Sequence, residues 1–541
     1  MAVEGDAMAL KPTVLDATRD VMRSLGLTTL FGNPGSTEEA FLENLPPDFT
    51  YVLGLHEAAV VGMADGWSRA MHRPVLVNLH TAAGVGNAMG GLVTAWHNKT
   101  PMILTAGQQT REMLLLEPLL TNLDAATLPR PYVKFALETT RAEDAPASLM
   151  RAHASAIQPP TGPVFLSWPY DDWDKPAGAA VLPRQVSTRL HANQDALRPI
   201  AEALTAARNP ALVIGAGITR GGGWEDAVRL AELLRCAVYD PPWDEAASFP
   251  RDHALYQGEL PPAIGSLCEK LQGHDVVLVL GAPVFRYYPH VPGGYLPDGT
   301  CLFHVTDDPS EAARAPVGDS MLADPAHAAR TLAGMVAPAT RQPPSPRPRP
   351  EAAKQGNPMS ADQLFEALAE ARPDNAVLVQ ETPSNTKDLK KRWPVTQPDA
   401  YYAMASGVLG YGLPAAVGVA LAERQLGRRR PVVAVIGDGS FQYSLQALWT
   451  AAQHELPVVF VVPQNNEYAI LKSFAALDDT PGVPALDLPG LDIASLARGY
   501  GCTAQAATTP AEVRDAVRAA FGRSGPTVIV APIDPKVPPL L

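Results

Sequence analysis

The stretch VVAVIGDGSFQYSLQALWTAAQHELPVVFVVPQNNEY, residues 432–468, holds two short apolar runs with a helical pattern between them. Residues 432–436 and 458–462 have the length and β-branched composition of buried strands, and the apolar spacing in 441–455 predicts a helix. A right-handed strand–helix–strand crossover would make the two strands parallel neighbours in one sheet. The stretch therefore predicts an α/β fold built on a parallel sheet.

Each of the two apolar runs ends in polar residues. Asp438 lies in a Gly-Asp-Gly turn after the first run, and Asn465 follows the second run. Because open α/β sheets bind ligands at the carboxyl ends of their strands, these side chains are expected to be neighbours in a site. A carboxylate, an amide oxygen and a backbone carbonyl suit Mg²⁺, which prefers hard oxygen ligands and is often shared with phosphates. The stretch is therefore predicted to bind magnesium and a diphosphate.

The alternation of apolar runs and helical patterns continues through all 541 residues, too many for one hydrophobic core. It predicts three doubly wound parallel-sheet α/β domains, the outer two similar and the central one Rossmann-like. A turn-rich segment after residue 167 and six prolines between residues 338 and 350 mark the boundaries. The predicted parts are an N-terminal domain at 1–185, a central domain at 186–337, a proline-rich linker at 338–357 and a C-terminal domain at 358–541.

The composition excludes several classes of partner. The formal net charge of -13, without a basic cluster, argues against nucleic acid. Four cysteines without metal-site or disulfide spacing fit a reducing compartment. No apolar run is long enough to cross a membrane, and the acidic first residues lack the apolar core of a secretion signal. A cytoplasmic protein without a membrane partner is therefore expected.

Three residues of the first domain carry candidate chemistry. Glu57 enters an apolar helical pattern, where it is either a helix N-terminal charge or a functional acid. Ser36 lies in a glycine-rich turn with Glu39 three residues later, which predicts a capping box. His80 follows the apolar run 75–79, where the backbone often satisfies a histidine. The residues alone leave these alternatives open.

The motifs GDGS at 437–440 and NN at 465–466 resemble those of the thiamine diphosphate enzymes, and in particular of the 2-oxo acid decarboxylases. Further runs are similar to the benzoylformate decarboxylase group: FGNPGS at 31–36, NLHTAAG at 78–84, TAGQQTR at 105–111, LTNLDAATLPRP at 120–131, PYDDWDK at 169–175 and GHDVVLVLGAPVFRY at 273–287. Runs of this length extend over nearly the whole chain. The resemblance implies the thiamine diphosphate-binding fold.

The resemblance implies a set of cofactor contacts. Asp438, Asn465 and the Glu467 carbonyl would bind Mg²⁺, and Glu57 would hydrogen-bond the aminopyrimidine of thiamine diphosphate and promote its activation. The other implied cofactor contacts are Ser384, Gly407, Leu409, Gly439, Ser440 and Tyr468. In this family the glutamate and the diphosphate site come from different subunits, so a homodimer or homotetramer with active sites at the interface is implied.

The resemblance also implies how a small-molecule 2-oxo acid would be bound. Ser36 would meet the substrate carboxylate, and His80 would handle protons after carbon dioxide leaves. The implied substrate pocket consists of Ser36, Leu120, Pro383, Ile470 and Phe474.

The chain departs from the family pattern at three positions. A second catalytic histidine is expected directly after Arg286-Tyr287, but Tyr288 stands there and the nearest histidine is His290. Either His290 is catalytic from a shifted loop, or Tyr288 replaces the missing side chain as a hydrogen-bond donor. Ile470 stands for a small residue and Pro383 for a threonine. Because overpacking a pocket costs ~1–3 kcal/mol, smaller or aliphatic 2-oxo acids are favoured over benzoylformate.

The glycine-rich turn of the central domain only partly matches a dinucleotide-binding motif. Gly215 and Gly217 follow the apolar run 211–214, but Arg220 stands where a dinucleotide fingerprint needs its third glycine. NAD is therefore not expected, and no residue pattern demands the FAD that related carboligases keep in this domain.

The resemblance favours one function and leaves two alternatives. It implies a carboxy-lyase that splits a 2-oxo acid into an aldehyde and carbon dioxide without oxidation. The same cofactor chemistry would serve a carboligase or lyase that joins or cleaves 2-hydroxy ketones. A cofactor-binding scaffold without catalysis is the alternative of another class, supported by the missing histidine and opposed by Glu57 and His80.

Overall fold

The computed structural model describes residues 11–540, which form two compact units. The first unit comprises residues 11–68 and 73–187, and the second comprises 69–72 and 188–540. The first contains one six-stranded sheet and the second contains two, and all paired strands of the three sheets are parallel. The predicted fold class is confirmed. No helix within residues 11–540 has the length and apolar character to cross a membrane.

The sheet of the first unit has the strand order β2-β1-β3-β4-β6-β5. Every residue of β3 and β4 is buried, as expected for parallel strands covered on both faces by helices. Its strands are β1 Thr29–Gly32, β2 Thr50–Leu53, β3 Val75–Leu79, β4 Met102–Gln108, β5 Ala136–Glu138 and β6 Val164–Pro169. Its helices are α1 Val14–Ser24, α2 Glu39–Leu42, α3 Glu57–Met71, α4 Thr81–His97 and α5 Ala145–Ile157, with 3-10 turns at Leu114–Leu116, Ala142–Asp144 and Tyr170–Asp172.

The central sheet belongs to the second unit and has the order β12-β11-β10-β7-β8-β9. This is the doubly wound Rossmann arrangement, in which the strand order reverses between the first and fourth strands. Its strands are β7 Ala211–Ile214, β8 Ala237–Asp240, β9 Tyr256–Glu259, β10 Val276–Leu280, β11 Cys301–Thr306 and β12 Asp319–Leu322. Its helices are α6 Gln194–Ala206, α7 Ala216–Arg220, α8 Trp224–Leu234, α9 Ile264–Lys270, α10 Pro309–Arg314 and α11 Pro325–Met335.

The third sheet has the order β14-β13-β15-β16-β18-β17, which repeats the order of the first sheet. The predicted similarity of the two outer folds is therefore confirmed. Its strands are β13 Val377–Glu381, β14 Tyr401–Tyr402, β15 Val432–Ile436, β16 Val458–Gln464, β17 Thr503–Ala506 and β18 Thr527–Pro532. Its helices are α12 Ala361–Ala371, α13 Thr386–Arg392, α14 Gly412–Gln425, α15 Asp438–Phe441, α16 Ala447–Gln453, α17 Ala469–Leu477, α18 Ile493–Gly499 and α19 Pro510–Ala520, with a 3-10 turn at Pro383–Asn385. Residues 336–360, which include the proline-rich segment, contain neither helix nor strand.

Two local predictions are wrong. The helix predicted over 441–455 is interrupted at 442–446, where the Ser444 hydroxyl donates to the Gly410 carbonyl at 2.8 Å instead of continuing the helix. The capping box predicted for Ser36 and Glu39 is absent, because Glu38 is the residue that precedes α2 and no side chain caps it. In both places a contact with a distant segment outweighs the local signal.

A buried ionic cluster links the two sheets of the second unit. The Arg251 guanidinium donates to Asp240 at 2.9 Å and to Asp244 at 2.5 Å, and all three side chains are almost fully buried. Arg251 also lies over the ring of Tyr401 in β14, 4.4 Å from its centroid, and its backbone N–H donates to the Val395 carbonyl. A residue in the connection between β8 and β9 of the central sheet is thereby bonded to elements of the third sheet.

Candidate active site

The carboxyl ends of β15 and β16 place Asp438 against the segment 465–467. These strands are parallel neighbours, with Val432 opposite Val458. The Asp438 carboxylate accepts the Asn466 N–H at 2.7 Å and the N–H of Gly439 at 2.9 Å. Burial raises the pKa of Asp438, and the backbone N–H donors oppose that rise. The crossover thus brings the two polar motifs into direct contact.

The segment after β16 collects further oxygen atoms. Asn466 has a left-handed φ of 58°, which turns the chain so that the Asn465 side-chain oxygen accepts the Glu467 N–H at 3.2 Å. The Glu467 carboxylate contacts the Lys472 ammonium, yet its Oε1 is buried without a hydrogen-bond partner. Carboxylate and carbonyl oxygens are the donors that Mg²⁺ prefers. The residues at this edge therefore fit a magnesium ion with its phosphate ligands.

Gly439 allows a close approach between the turn and Tyr468. A Cβ at position 439 would lie 2.6 Å from the Tyr468 ring, so a larger residue would displace that ring. Tyr468 immediately precedes α17, and its N–H donates to the Leu486 carbonyl. Ser440 is buried, and its hydroxyl donates to the carboxylate of Glu381. Three residues predicted from the motif are thus held by specific contacts.

Glu381, at the end of β13, is a site residue that the sequence did not reveal. Its carboxylate accepts the N–H of Gly410 at 2.7 Å and of Gly412 at 2.5 Å, and its backbone carbonyl accepts the Gly437 N–H at 2.9 Å. It therefore fixes the loop that contains Leu409 to the turn that contains Asp438. Burial raises the pKa of Glu381 to about 7, against the opposing effect of these donors.

The raised pKa of Glu381 predicts a pH-dependent stability. Because the folded-state pKa lies above the unfolded value, the stabilising effect is complete below the unfolded pKa of 4.5 and is lost as the pH rises through about 7. A shift of this size corresponds to about 3 kcal/mol. We expect the Tm of the cofactor-free protein to fall more between about pH 5 and about pH 8 in wild type than in Glu381→Gln. Equal falls would contradict this assignment.

The loop before α14 carries two predicted cofactor contacts. Gly407 has a left-handed φ of 76° with open space around its Cα, and Leu409 is half-buried. Gly410, next to Leu409, has a φ of 103° and would place a Cβ 2.9 Å from Tyr443. Ser384 lies in the 3-10 turn that follows β13. These residues follow β13 or precede α14, at the edge of the sheet where β13 ends with Glu381.

Helix α17 carries one wall of the predicted substrate pocket. Ile470 and Phe474 lie one turn apart on it, and the helix packs beside the turn Pro383–Asn385. The ring of Tyr288 stacks against Phe474 with centroids 5.0 Å apart, whereas His290 is exposed. The Tyr288 backbone is held at both ends, because its N–H donates to the Pro262 carbonyl and its own carbonyl accepts from the indole of Trp243. Tyr288, not His290, contacts this wall.

In the first unit, Glu57 begins α3 and is 6% exposed. Its two carboxylate oxygens accept separate amide N–H groups, from Asn33 at 3.1 Å and from Asn87 at 3.0 Å. A Cβ on Gly84 would lie 3.5 Å from the Glu57 carboxylate, so the glycine leaves room around it. Glu57 is therefore a buried, oriented carboxylate and not a solvated helix-end charge.

His80 is oriented by a second buried carboxylate, that of Glu38. His80 Nδ1 lies 2.8 Å from Glu38 Oε2, and Glu38 also accepts the N–H groups of Gly35 at 2.9 Å and Gly107 at 2.8 Å. A proton on Nδ1 that is donated to the carboxylate leaves Nε2 as the basic nitrogen. Gly35 is required here, since a Cβ would lie 2.1 Å from the imidazole. Glu38 lies two residues after the motif FGNPGS at 31–36, and nothing local marked it as buried.

The remaining predicted residues of the first unit are exposed. Ser36 lies in the turn between β1 and α2, two residues before Glu38. Leu120, 46% exposed, lies in the long segment between β4 and β5, where several other apolar side chains also face solvent. These are Met113, Leu115, Leu116, Leu119, Leu123 and Leu128.

The crevice at the strand-order reversal of the central sheet is closed by backbone. Gly217 N–H donates to the Gly281 carbonyl at 2.9 Å, and a Cβ on Gly217 would lie 2.7 Å from the Gly281 Cα. The remaining cavity is ≈ 10 Å³, about the space for one water molecule. Glu245 lines it; burial alone would raise its pKa, but Arg286 and Arg220 lower that pKa to about 2. The N–H groups that would hold a dinucleotide phosphate are therefore engaged within the chain.

Family models of three successive thiamine pyrophosphate enzyme domains match the chain. The N-terminal TPP binding domain matches residues 12–128, the central domain matches 197–332, and the C-terminal TPP binding domain matches 384–531. The resemblance indicated by the motifs is confirmed.

Individual relatives support the same assignment along the full length. The chain is 45% identical over 524 residues to benzoylformate decarboxylase of Pseudomonas aeruginosa, covering 96% of this chain and 98% of that one. The crystal structure of benzoylformate decarboxylase from Polynucleobacter necessarius matches with a TM-score of 0.96 at 47% identity, covering 98% and 100%. The 4-hydroxybenzoylformate decarboxylase of Rhodococcus jostii RHA1 gives 0.94 at 42%, covering 97% and 100%. The chain therefore belongs to the thiamine pyrophosphate enzyme family, among its thiamine diphosphate-dependent 2-oxo acid decarboxylases.

Proposed function

We propose that this enzyme converts a 2-oxo acid of small or aliphatic side chain into an aldehyde and carbon dioxide. The observation that carries the proposal is the 2.8 Å contact between His80 Nδ1 and the buried Glu38 carboxylate. It fixes one imidazole tautomer and leaves Nε2 for proton exchange, in the unit that also holds the oriented Glu57. General acid–base catalysis needs a group placed in this way.

The residues of the chain perform the proton transfers and the positioning. Thiamine diphosphate, when bound, supplies a nucleophilic carbon and accepts the electron pair that carbon dioxide leaves behind. Glu57 is held by Asn33 and Asn87 so that its carboxylate exchanges a proton with the cofactor. His80 Nε2 delivers the proton that completes the aldehyde, and the Ser36 hydroxyl binds the substrate carboxylate.

The C-terminal sheet edge is proposed to hold the cofactor's charged end. Asp438, Asn465 and the Glu467 carbonyl bind Mg²⁺, while Gly439, Ser440, Tyr468 and Ser384 contact the diphosphate. Gly407 and Leu409 would contact the aminopyrimidine of the bound cofactor. The contact between the Asp438 carboxylate and the segment 465–467 supports this set.

We also propose a homo-oligomer, a dimer or tetramer, that works in the cytoplasm. The nearly complete exposure of Leu115 at 91% and Leu119 at 90% supports coverage of the segment around Leu120 by a second copy. Four cysteines are free, which supports a reducing compartment. Domain boundaries near residue 185 and within 338–357 fit the positions of the three sheets.

The pocket wall supports a preference against a phenyl substituent. Ile470 and Phe474 lie on one helix, and the Tyr288 ring already occupies one side of Phe474. Of the two candidates for the missing histidine, we propose Tyr288 as the hydrogen-bond donor because of this contact. Less space then remains for an aromatic 2-oxo acid beside Ile470.

The test is a rate panel with thiamine diphosphate and Mg²⁺ that compares benzoylformate, pyruvate and branched 2-oxo acids in wild type and Ile470→Ala. We expect the substitution to raise kcat/KM for benzoylformate by about tenfold to hundredfold, since relief of ~1–3 kcal/mol of overpacking corresponds to that range. If wild type used benzoylformate as efficiently as Ile470→Ala does, the proposed crowding of the pocket by Ile470 would be wrong. If condensation products formed without free aldehyde, the carboligase alternative would be favoured. If none of the 2-oxo acids gave a product, the alternative of a cofactor-binding scaffold without catalysis would be favoured.

A further inference from the structure

Two histidines of the second unit lie against each other, outside the catalytic residues. His191 Nδ1 is 3.1 Å from His327 Nε2, and the ring centroids are 4.4 Å apart. His191 belongs to the segment 188–193, which has neither helix nor strand and leads into α6. His327 lies in the first turn of α11. The pair connects the start of the second unit to a helix that covers its central sheet.

Contacts of the residues next to them in the chain position both imidazole rings. The Asp324 N–H donates to the Leu190 carbonyl at 2.8 Å, which fixes the residue before His191. Ala192, the residue after it, is buried in the core of the central sheet. The Asp324 carboxylate caps α11 by accepting the N–H groups of Ala326 and His327. The pair is therefore preorganised by the fold.

The hydrogen bonds assign the tautomers of the two rings. The Ala192 N–H points to His327 Nδ1 at 3.4 Å, so Nδ1 is an acceptor. His327 therefore carries its proton on Nε2 and donates it to His191 Nδ1, and His191 carries its own proton on Nε2. A single proton thus lies between the two nitrogens.

We propose that His191 and His327 form a bidentate chelating site for a borderline divalent transition-metal ion such as Zn²⁺. Neutral imidazole is a preferred ligand of such ions. Two Zn–N bonds of ~2.1 Å at a tetrahedral angle span ~3.4 Å, slightly more than the observed 3.1 Å. The ion replaces the bridging proton, which moves from Nε2 to Nδ1 of His327 so that neither ring changes its charge, and the 3.4 Å hydrogen bond from the Ala192 N–H to Nδ1 is given up.

Water completes the coordination shell of this site. Among residues 11–540, no three His, Cys, Asp or Glu side chains gather in a metal-binding group, so the protein supplies two ligands. The neighbouring cation on α11, Arg330, is paired with Asp226 at 2.8 Å. Binding would clamp the segment 188–193 to α11 without involving the cofactor residues.

The proposal is tested by titrating the holoenzyme, saturated with thiamine diphosphate and Mg²⁺, with Zn²⁺ against a chromophoric chelator. We expect one site whose affinity falls at least about tenfold in His191→Gln and in His327→Gln, as loss of a metal-site partner usually causes. The double variant is expected to lose little more than either single one, because a lone imidazole binds weakly. The proposal would be overturned if the single variants bound Zn²⁺ like wild type. It would also be overturned if the affinity loss in the double variant equalled the sum of the two single losses.

A matched control and a second readout make the result specific. His253→Gln removes a histidine of the same unit that faces Glu232 at 3.4 Å, and it is expected to leave Zn²⁺ affinity unchanged. Zn²⁺ is expected to slow proteolytic cleavage within 188–193 in wild type and not in the His191→Gln variant. Equal protection of both proteins would also reject the site.

Discussion

Glu57→Gln is expected to lower kcat by about 10²–10⁴-fold, the range that a general acid–base group contributes. The glutamine keeps the size of the side chain but has only one acceptor oxygen, whereas Asn33 and Asn87 each donate to a separate oxygen of Glu57. It also cannot exchange a proton at neutral pH. Single-turnover formation of aldehyde with saturating cofactor measures the loss.

The control for Glu57→Gln is Glu39→Gln, an exposed carboxylate in the first turn of α2 in the same unit. Its kcat is expected to stay within about twofold of wild type, because surface substitutions rarely exceed about 0.5 kcal/mol. Binding of thiamine diphosphate to Glu57→Gln should remain measurable, since the magnesium ligands are intact. A variant with wild-type kcat would remove Glu57 from the mechanism.

Asp438→Asn is expected to weaken thiamine diphosphate and Mg²⁺ binding by at least about 100-fold. Changes next to a metal already cost about 10–100-fold in affinity, and here a charged ligand is lost. The amide would also present N–H donors toward the N–H groups of Gly439 or Asn466, which now donate to the carboxylate. Equilibrium dialysis of the cofactor at several Mg²⁺ concentrations measures the change.

Asp479→Asn is the matched substitution. Asp479 is an exposed carboxylate after α17 with a left-handed φ of 49°, a conformation that asparagine tolerates well. Cofactor affinity is expected to be unchanged in it. If Asp438→Asn bound the cofactor as tightly as Asp479→Asn does, the proposed magnesium site would be wrong.

The sheets were predictable because their signal is local. The apolar run 432–436 is buried at every residue, and a right-handed crossover leaves one arrangement for it beside 458–462. The repeated strand order of the two outer sheets was not visible as residue similarity. It becomes visible only in the pairing of the strands, because different sequences can satisfy the same burial pattern.

The carboxylates that orient the site were not predictable, because their partners are distant in sequence. Glu38 accepts an N–H from Gly107, 69 residues away, and Glu381 is bonded to Gly410 and Gly412, 29 and 31 residues away. In its local sequence, each of these two glutamates is an acidic residue in or before a turn, which suggests a solvated side chain. The Ser36 capping box failed for the same reason, since Glu38 turns inward toward His80.

The cluster of Arg251, Asp240 and Asp244 limits how the second unit can move. Opening the junction between its two sheets would separate this guanidinium from Tyr401 and expose or strand buried charges. A cation–π contact of this kind contributes about 2 kcal/mol when it is shielded from water. The central and C-terminal sheets are therefore expected to resist opening at this junction, so the admission of substrate and the release of aldehyde are expected to depend on loops.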